Sequence, residues 1–317
     1  MKKHIVIGSR GSKLALTQAG LIKSELELTD PALAISIEII KTSGDVNTNP
    51  LSVIGGKGVF TKELEEALVE GRVDLAVHSL KDLPTILPDG LMIGAITKRE
   101  DPRDALVLSL KLKDLSASIK TLPRSATVGT SSPRRLAQLK NLRGDLVIKD
   151  VRGNIDTRLR KLDEGQFDAL VLACAGLRRL GLESRISAAL PASEMLPAVG
   201  QGALGLETRA NDEDTIAAIS KLDHKFTRLA CIAERAFLRS LGGGCQLPIA
   251  AYAIVRDQRI RLDGMVADRQ GQQIVKDRIV GGLVEAEQLG TTLGERLLEH
   301  GAANLLREEE RSSEFKL

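Results

Sequence analysis

Thr127-Val128-Gly129-Thr130-Ser131-Ser132-Pro133-Arg134-Arg135 is the stretch on which the fold turns. Its first three residues read as a short strand. Ser132 is a good helix N-cap and Pro133 a good first helical residue. Strand, tight polar turn and helix make half of a βα unit, the building block of an α/β sheet. The helix opens with Arg134 and Arg135, although cations are unfavourable at the positive end of a helix dipole. The turn therefore asks for an anion.

The same pattern precedes this stretch. Residues 4–7 read as a strand, Gly8-Ser9-Arg10-Gly11-Ser12 as a glycine-rich turn, and residues 14–28 as a helix. Such a turn aims backbone N–H groups at an anion, with Arg10 and Ser12 as further donors; a plain βα turn with a surface arginine explains the same residues. Residues 35–41 form a second strand. Residues 42–58 have no usable period and hold six amide or glycine residues around Pro50, a long loop that reads as a lid. Lys57 lies in it, and Phe60 opens a helix over 60–69. Residues 74–79 form a strand that runs into Ser79-Leu80-Lys81-Asp82-Leu83-Pro84. Ligands of open α/β sheets sit beyond the carboxyl ends of strands, where Ser79, Lys81 and Asp82 fall. The plain alternative for Asp82 is a turn-capping aspartate.

The charged break Lys98–Asp104 separates a first α/β domain from a second. Strands are expected over 105–110, 146–149 and 168–173. Arg152 follows the second of these, Arg158 enters the next helix, and Arg178 and Arg179 follow the third. Cys174 reads as a small core residue. Residues 197–207 cross into one more strand, with Gln201 between two glycines as a ligand contact. Residues 227–241 form an amphipathic helix that buries Cys231 and delivers the chain to Leu241-Gly242-Gly243-Gly244-Cys245-Gln246-Leu247-Pro248. Three glycines and a proline there present the Cys245 sulfur; the bland reading is a linker with an incidental thiol. Strands over 247–255, 259–267 and 272–280 and a helix over 283–306 complete a small α+β domain.

The 317 residues carry a net charge of only +3, so the cations at strand ends and helix starts are placed rather than merely abundant. These are Arg10, Lys57, Lys81, Arg134, Arg135, Arg152, Arg158 and Arg179, with Ser12 beside Arg10. They fit a compact ligand with several carboxylates or phosphates. No P-loop or GxGxxG turn accompanies them, so no nucleotide is indicated. The four histidines are scattered and no metal is expected. Aromatics are 2% of the chain, too few for stacking nucleic-acid bases. No apolar run is long enough for a membrane span or a signal h-region. Three cysteines without a CxxC pair fit a reducing compartment, so a cytoplasmic monomer is expected.

Ser79-Leu80-Lys81-Asp82-Leu83-Pro84, Gly129 to Arg135, Arg152-Gly153-Asn154, Leu196 to Gly202 and Gly243 to Pro248 together resemble hydroxymethylbilane synthase, the porphobilinogen deaminase family, in order and over nearly the whole chain. The resemblance implies two α/β domains folded like type II periplasmic binding proteins, with a cleft between them, and a small C-terminal α+β domain. The expected boundaries are 1–98 with 201–220, 99–200, and 221–317. It implies a dipyrromethane cofactor in thioether linkage to Cys245, on which four porphobilinogens are joined with loss of ammonia. Asp82 is then the catalytic acid. Lys81, Ser131, Ser132, Arg134, Arg135 and Arg158 would hold the cofactor, and Arg10, Ser12, Lys57, Phe60, Arg152, Arg179 and Gln201 the substrate. Val53 departs from the pattern, since many members have lysine there. Two other classes use similar residues. A carrier of small anions needs neither Asp82 nor Cys245, and a nucleic-acid binder wants more charge and more aromatics.

Overall fold

The structure, a computed structural model, describes residues 2–42, 61–112, 116–242 and 247–307. The chain forms two units, Met1–Glu100 with Ala203–Leu229, and Asp101–Gly202 with Ala230–Leu317. Strands β1 (His4–Ser9), β2 (Ala34–Ile39), β3 (Leu75–Ser79) and β4 (Leu91–Ile96) precede the first crossing. Strands β5 (Asp104–Leu108), β6 (Thr127–Gly129), β7 (Val147–Lys149), β8 (Ala169–Ala173) and β9 (Ala188–Ala189) follow it. The chain returns to the first unit with β10 (Leu204–Arg209), and β11 (Ile249–Arg256), β12 (Arg259–Ala267) and β13 (Ile274–Gly282) come last. The described α-helices are α1 (Lys13–Thr29), α2 (Lys62–Val69), α3 (Pro133–Leu142), α4 (Ile155–Asp163), α5 (Cys174–Arg179), α6 (Glu213–Ser220), α7 (Lys225–Ser240) and α8 (Ala286–Leu297).

The two five-stranded sheets share one order. In the first unit it is β2-β1-β3-β10-β4, and in the second β7-β6-β8-β5-β9. The first three strands of each are parallel, and the fourth runs against both its neighbours. That fourth strand, β10 or β5, is the one that enters directly after a crossing of the chain.

Helices cover both faces of each sheet, as near-continuous apolar strands require. In the first unit Ala19, Ile22 and Leu26 of α1, spaced three and four apart, pack with Ile5, Ile7, Leu75 and Leu206. Leu64 and Leu68 of α2 pack on the opposite face with Val73 and Ala76. In the second unit Leu139 of α3 joins Leu106, Val128 and Val171, while Leu159 and Leu162 of α4 join Val107, Leu170 and Leu172. The antiparallel sheet β11-β12-β13 sets Ala250, Met265 and Ala267 against Ala137 of α3. Its other side meets α8, which lies so close to α7 that a Cβ at Gly290 would stand 2.2 Å from the Ala233 carbonyl oxygen.

Ser132 caps α3 and Pro133 is its first residue, as the sequence predicts. The strand over 259–267 is β12 to the residue. The stretch 283–306 is helical as expected but not one regular helix: a 3-10 turn precedes α8, a wide turn follows Leu297 in which Gly301 has φ 105°, and residues 303–307 are helical again. The lid reading of 42–58 falls, beyond Thr42, outside the described residues.

Candidate active site

In the first unit β1 has β2 on one side and β3 on the other, with α1 and α2 on opposite faces. The carboxyl ends of β1 and β3 thus form a switch point, the ligand position of open α/β sheets. Arg10 and Ser12 follow β1. Ser12 Oγ accepts from Ala15 N at 3.3 Å and so caps α1. Ser79 to Asp82 follow β3. The turn Leu80–Asp82 is one 3-10 turn on a fixed base: the Leu80 side chain is buried, its N–H donates to Ala203 O at 3.0 Å, and Gln18 Nε2 donates to Ser79 Oγ at 2.9 Å. The turn leaves Asp82 exposed and Lys81 half-buried. One strand residue back, His78 Nε2 lies 2.8 Å from Glu207 Oε2, both buried. Beside them the Glu65 carboxyl is pushed up, mainly by burial and further by Glu207, against a lowering contact with Thr61.

The second unit repeats the geometry at β6, β7 and β8. Ser131 Oγ donates to Val151 O at 2.8 Å and accepts from Val151 N at 3.1 Å, which ties the turn after β6 to the turn after β7. Arg158 Nε donates to Gly153 O at 2.7 Å. Gly153 has φ 104°, and a Cβ there would meet Thr157 Cγ2 at 2.8 Å, so the turn after β7 needs glycine. Arg152 is exposed, with Nη2 3.7 Å from Asp150 Oδ2. Arg179 Nη2 donates to Gly202 O at 2.6 Å.

Arg134 and Arg135 differ from the expectation of an exposed anion receptor. Both side chains are buried and turn inward to Asp104, the first residue of β5, which is 0% exposed. Arg134 Nη1 and Nη2 reach Asp104 Oδ2 and Oδ1 at 2.7 and 3.2 Å, and Arg135 Nη2 and Nε reach Oδ1 at 2.7 and 3.0 Å. The anion that the start of α3 asks for is a carboxylate of the chain itself. Burial alone pushes the Asp104 carboxyl up, but Arg134 and Arg135 override it and hold it well below the usual carboxylate range. Two guanidiniums on one carboxylate leave the triplet with a charge of +1, so a positive field remains at this helix start. Gln201 is also turned inward: its Nε2 donates to Pro102 O at 2.7 Å and to Asp104 Oδ1 at 3.0 Å.

Asp104, Gln138 and Glu234 are the residues that sequence reasoning missed. Gln138 accepts from Leu196 N at 2.7 Å and donates to Leu196 O at 3.0 Å, fixing the start of the crossover. Asp104 had one signal, its place directly before the apolar run Ala105-Leu106-Val107-Leu108. Val53, Lys57, Phe60 and Cys245 lie outside the described residues. Cys174 and Cys231 are buried free thiols, and burial pushes the Cys174 thiol up to about 11. Among the described residues no group of three His, Cys, Asp or Glu is set to hold a metal, and no helix is long and apolar enough to cross a membrane. A surface depression of about 470 Å³ beside α4, lined by Leu159, Asp163, Leu182 and Arg185 among others, includes none of the residues above.

Residues 5–217 match the family described as porphobilinogen deaminase, dipyromethane cofactor binding domain, and residues 228–299 match its C-terminal domain. A porphobilinogen deaminase of Prochlorococcus marinus (strain AS9601) is 49% identical over 95% of this chain and 95% of its own length. The one of Synechococcus sp. (strain RCC307) is 52% identical over 95% and 94%. Among solved structures, the periplasmic VFT2 domain of Bordetella pertussis BvgS aligns with 69% of this chain and 86% of its own at 16% identity and a TM-score of 0.40.

Proposed function

The chain belongs to the porphobilinogen deaminase family, and from that premise we propose that it joins four porphobilinogens head to tail, releasing ammonia each time, and then hydrolyses the linear hydroxymethylbilane from a retained dipyrromethane primer. The observation that carries the reading is the pairing of donors and one acid at the switch points. Arg10, Ser12 and Lys81 stand with Asp82 at the ends of β1 and β3, and Ser131, Arg152 and Arg158 stand at the ends of β6 and β7.

Each porphobilinogen carries an acetate and a propionate. Serine hydroxyls, a lysine and forked arginines are the donor set for such arms. That set also fits the dipyrromethane, which supplies the pyrrole carbon that receives the first substrate and stays behind when product leaves. Lys81, Ser131, Ser132 and Arg158 would hold its carboxylates, with Cys245 as the point of attachment. Arg134 and Arg135 act there through the +1 field of their triplet with Asp104, since their other donors reach the carbonyls of Leu196 and Val171. Arg10, Ser12, Arg152 and Arg179, with Lys57 and Phe60, serve the incoming substrate, while Gln201, turned inward to Asp104, holds the crossover instead.

Asp82 is the reacting acid. As ammonia departs, positive charge develops on the substrate's pyrrole nitrogen, and a carboxylate beside that N–H stabilises it. The same group can hand a proton to the departing amine. The rigid base of its turn and its exposed side chain suit a group that must meet one pyrrole after another. Buried free thiols at Cys174 and Cys231 suit a reducing compartment, and the proposed setting is the cytoplasm.

The test is the intact mass of the denatured protein, with peptide mapping, before and after incubation with porphobilinogen. Two linked pyrroles on the Cys245 peptide, together with ammonia release, are expected. A Cys245 that stays bare after incubation, without ammonia release, overturns the reading.

A further inference from the structure

Glu234 lies in α7, the helix that leads toward residues 243–246, and it is 0% exposed. Its two carboxylate oxygens accept backbone N–H groups from two different elements: Gly200 donates to Oε2 at 2.7 Å and Ala253 to Oε1 at 2.8 Å. Ala253 belongs to β11, the first strand after residues 243–246. One carboxylate therefore joins the helix before that segment, the strand after it, and the crossover at Gly200. The crossover is itself held from its other side. Gln201 donates to Asp104, and Leu196 O accepts from Arg134 Nη1 at 2.7 Å. A continuous line of bonds thus runs from Arg134 and Arg135 through Asp104 and Gln201, along the backbone to Gly200, and on through Glu234 to β11.

We propose that Glu234 is a positioning residue for loading the pyrrole primer on Cys245: it ties the helix before the cysteine segment and the strand after it to the crossover, which is in turn bonded to the arginine pair of α3. The inference rests on the family reading of Cys245. In the loading step the Cys245 sulfur forms a C–S bond to the methylene carbon of a porphobilinogen, the C–N bond breaks, and ammonia leaves with the thiol's proton. Such a step gains rate from orientation. The elements that Glu234 ties together on either side of the cysteine, α7 and β11, are placed to supply that orientation. A carboxylate suits the post because both its neighbours are donors. An amide would offer one acceptor oxygen and turn an NH₂ donor toward the second N–H.

The test compares Glu234→Gln with Ile119→Ala, which empties a buried core position of the same unit in an apolar cluster that includes none of Arg134, Arg135, Asp104, Gln201 or Glu234. Unloaded proteins are given porphobilinogen, and pyrrole mass on the Cys245 peptide is followed with time alongside thermal midpoints. Glu234→Gln should load roughly tenfold more slowly than wild type, the rate equivalent of about 1.4 kcal/mol, while Ile119→Ala loads at the wild-type rate despite its lowered midpoint. Equal loading by the two variants, whether both slow or both normal, overturns the proposal. Should Glu234→Gln not fold, amide hydrogen exchange in the unloaded wild type decides. Slow exchange at both Gly200 and Ala253 supports a bridge formed before loading, and fast exchange at either overturns it. A wild type that never gains pyrrole mass counts against the family reading instead, whatever the exchange rates.

Discussion

Asp104→Asn keeps the side-chain volume and removes the charge that two buried guanidiniums share. The carboxylate accepts five hydrogen bonds, two from Arg134, two from Arg135 and one from Gln201. In the variant one of its two acceptor oxygens becomes a donor that faces only donors, and the triplet goes from +1 to +2. Removing one partner of a buried pair costs about 3–5 kcal/mol. At roughly 2–4 °C per kcal/mol for a unit of this size, the midpoint should fall by roughly 6–20 °C. The acid limb gives an independent check. The folded Asp104 carboxyl sits below its unfolded value of about 3.9. Its contribution is therefore full above that value and is lost as pH falls through the folded one. The gap between wild type and variant should be constant from pH 8 to about pH 5 and should narrow below about pH 4. Thermal melts by circular dichroism across this range measure both. A fall of less than about 3 °C at pH 7, or a gap that does not narrow in acid, refutes Asp104 as the internal counter-ion.

Asp82→Ala should leave the thermal midpoint nearly unchanged, since the side chain is exposed and Leu80 anchors the turn, while ammonia release from porphobilinogen is nearly abolished; substantial release would remove Asp82 from the chemistry. Asp212 is held at about 2: burial raises it, but hydrogen bonds from Lys2 Nζ at 2.5 Å and from the Thr215 N–H outweigh burial. Its stabilisation is full above about pH 4 and drains away toward pH 2. Lys2→Gln should flatten that loss in urea midpoints, and an unchanged acid limb would count against the cluster. Cys174 and Cys231 should resist iodoacetamide at pH 8 in the folded protein and react once it is unfolded in urea, as read by peptide mass; rapid labelling of either in the native state contradicts their burial.

The elements whose sequence signal is local were legible. Ser132-Pro133 announced α3, and the strand expected over 259–267 is β12, Arg259 to Ala267. The turns with Ser79 to Asp82, Ser131 and Arg152 were found because donors at strand ends follow from the α/β rule alone. Partners distant in sequence were not legible. Asp104 sits in a run of charged residues that reads as surface, and only its contact with Arg134 and Arg135, thirty residues on, shows it is core. The sign of the helix-start argument was right, since an anion is present, but its source was inside the chain. Glu234 shares a helical stripe with Ala230, Phe237 and Leu241, all buried. An acid on that stripe was a visible anomaly, yet its acceptors' partners, Gly200 and Ala253, lie on opposite sides of it in sequence. Glu207 is hidden similarly within the strand Leu204–Arg209.

The shared strand order has a consequence for synthesis. The second unit's five-stranded sheet draws all its strands from one unbroken stretch, Asp104 to Ala189, and can close as soon as that stretch has emerged from the ribosome. The first unit's sheet cannot, because β10 must pair with both β3 and β4, and it is made more than 100 residues after β4 ends. At about 5–20 residues per second that interval is roughly 5–20 s. Throughout it β3 has an open edge and β4 has no neighbour, the condition in which strands recruit foreign partners. Of the two five-stranded sheets the one begun first is finished last, and a nascent chain halted between Ile96 and Leu204 carries one closed five-stranded sheet or none, never the sheet that bears Asp82.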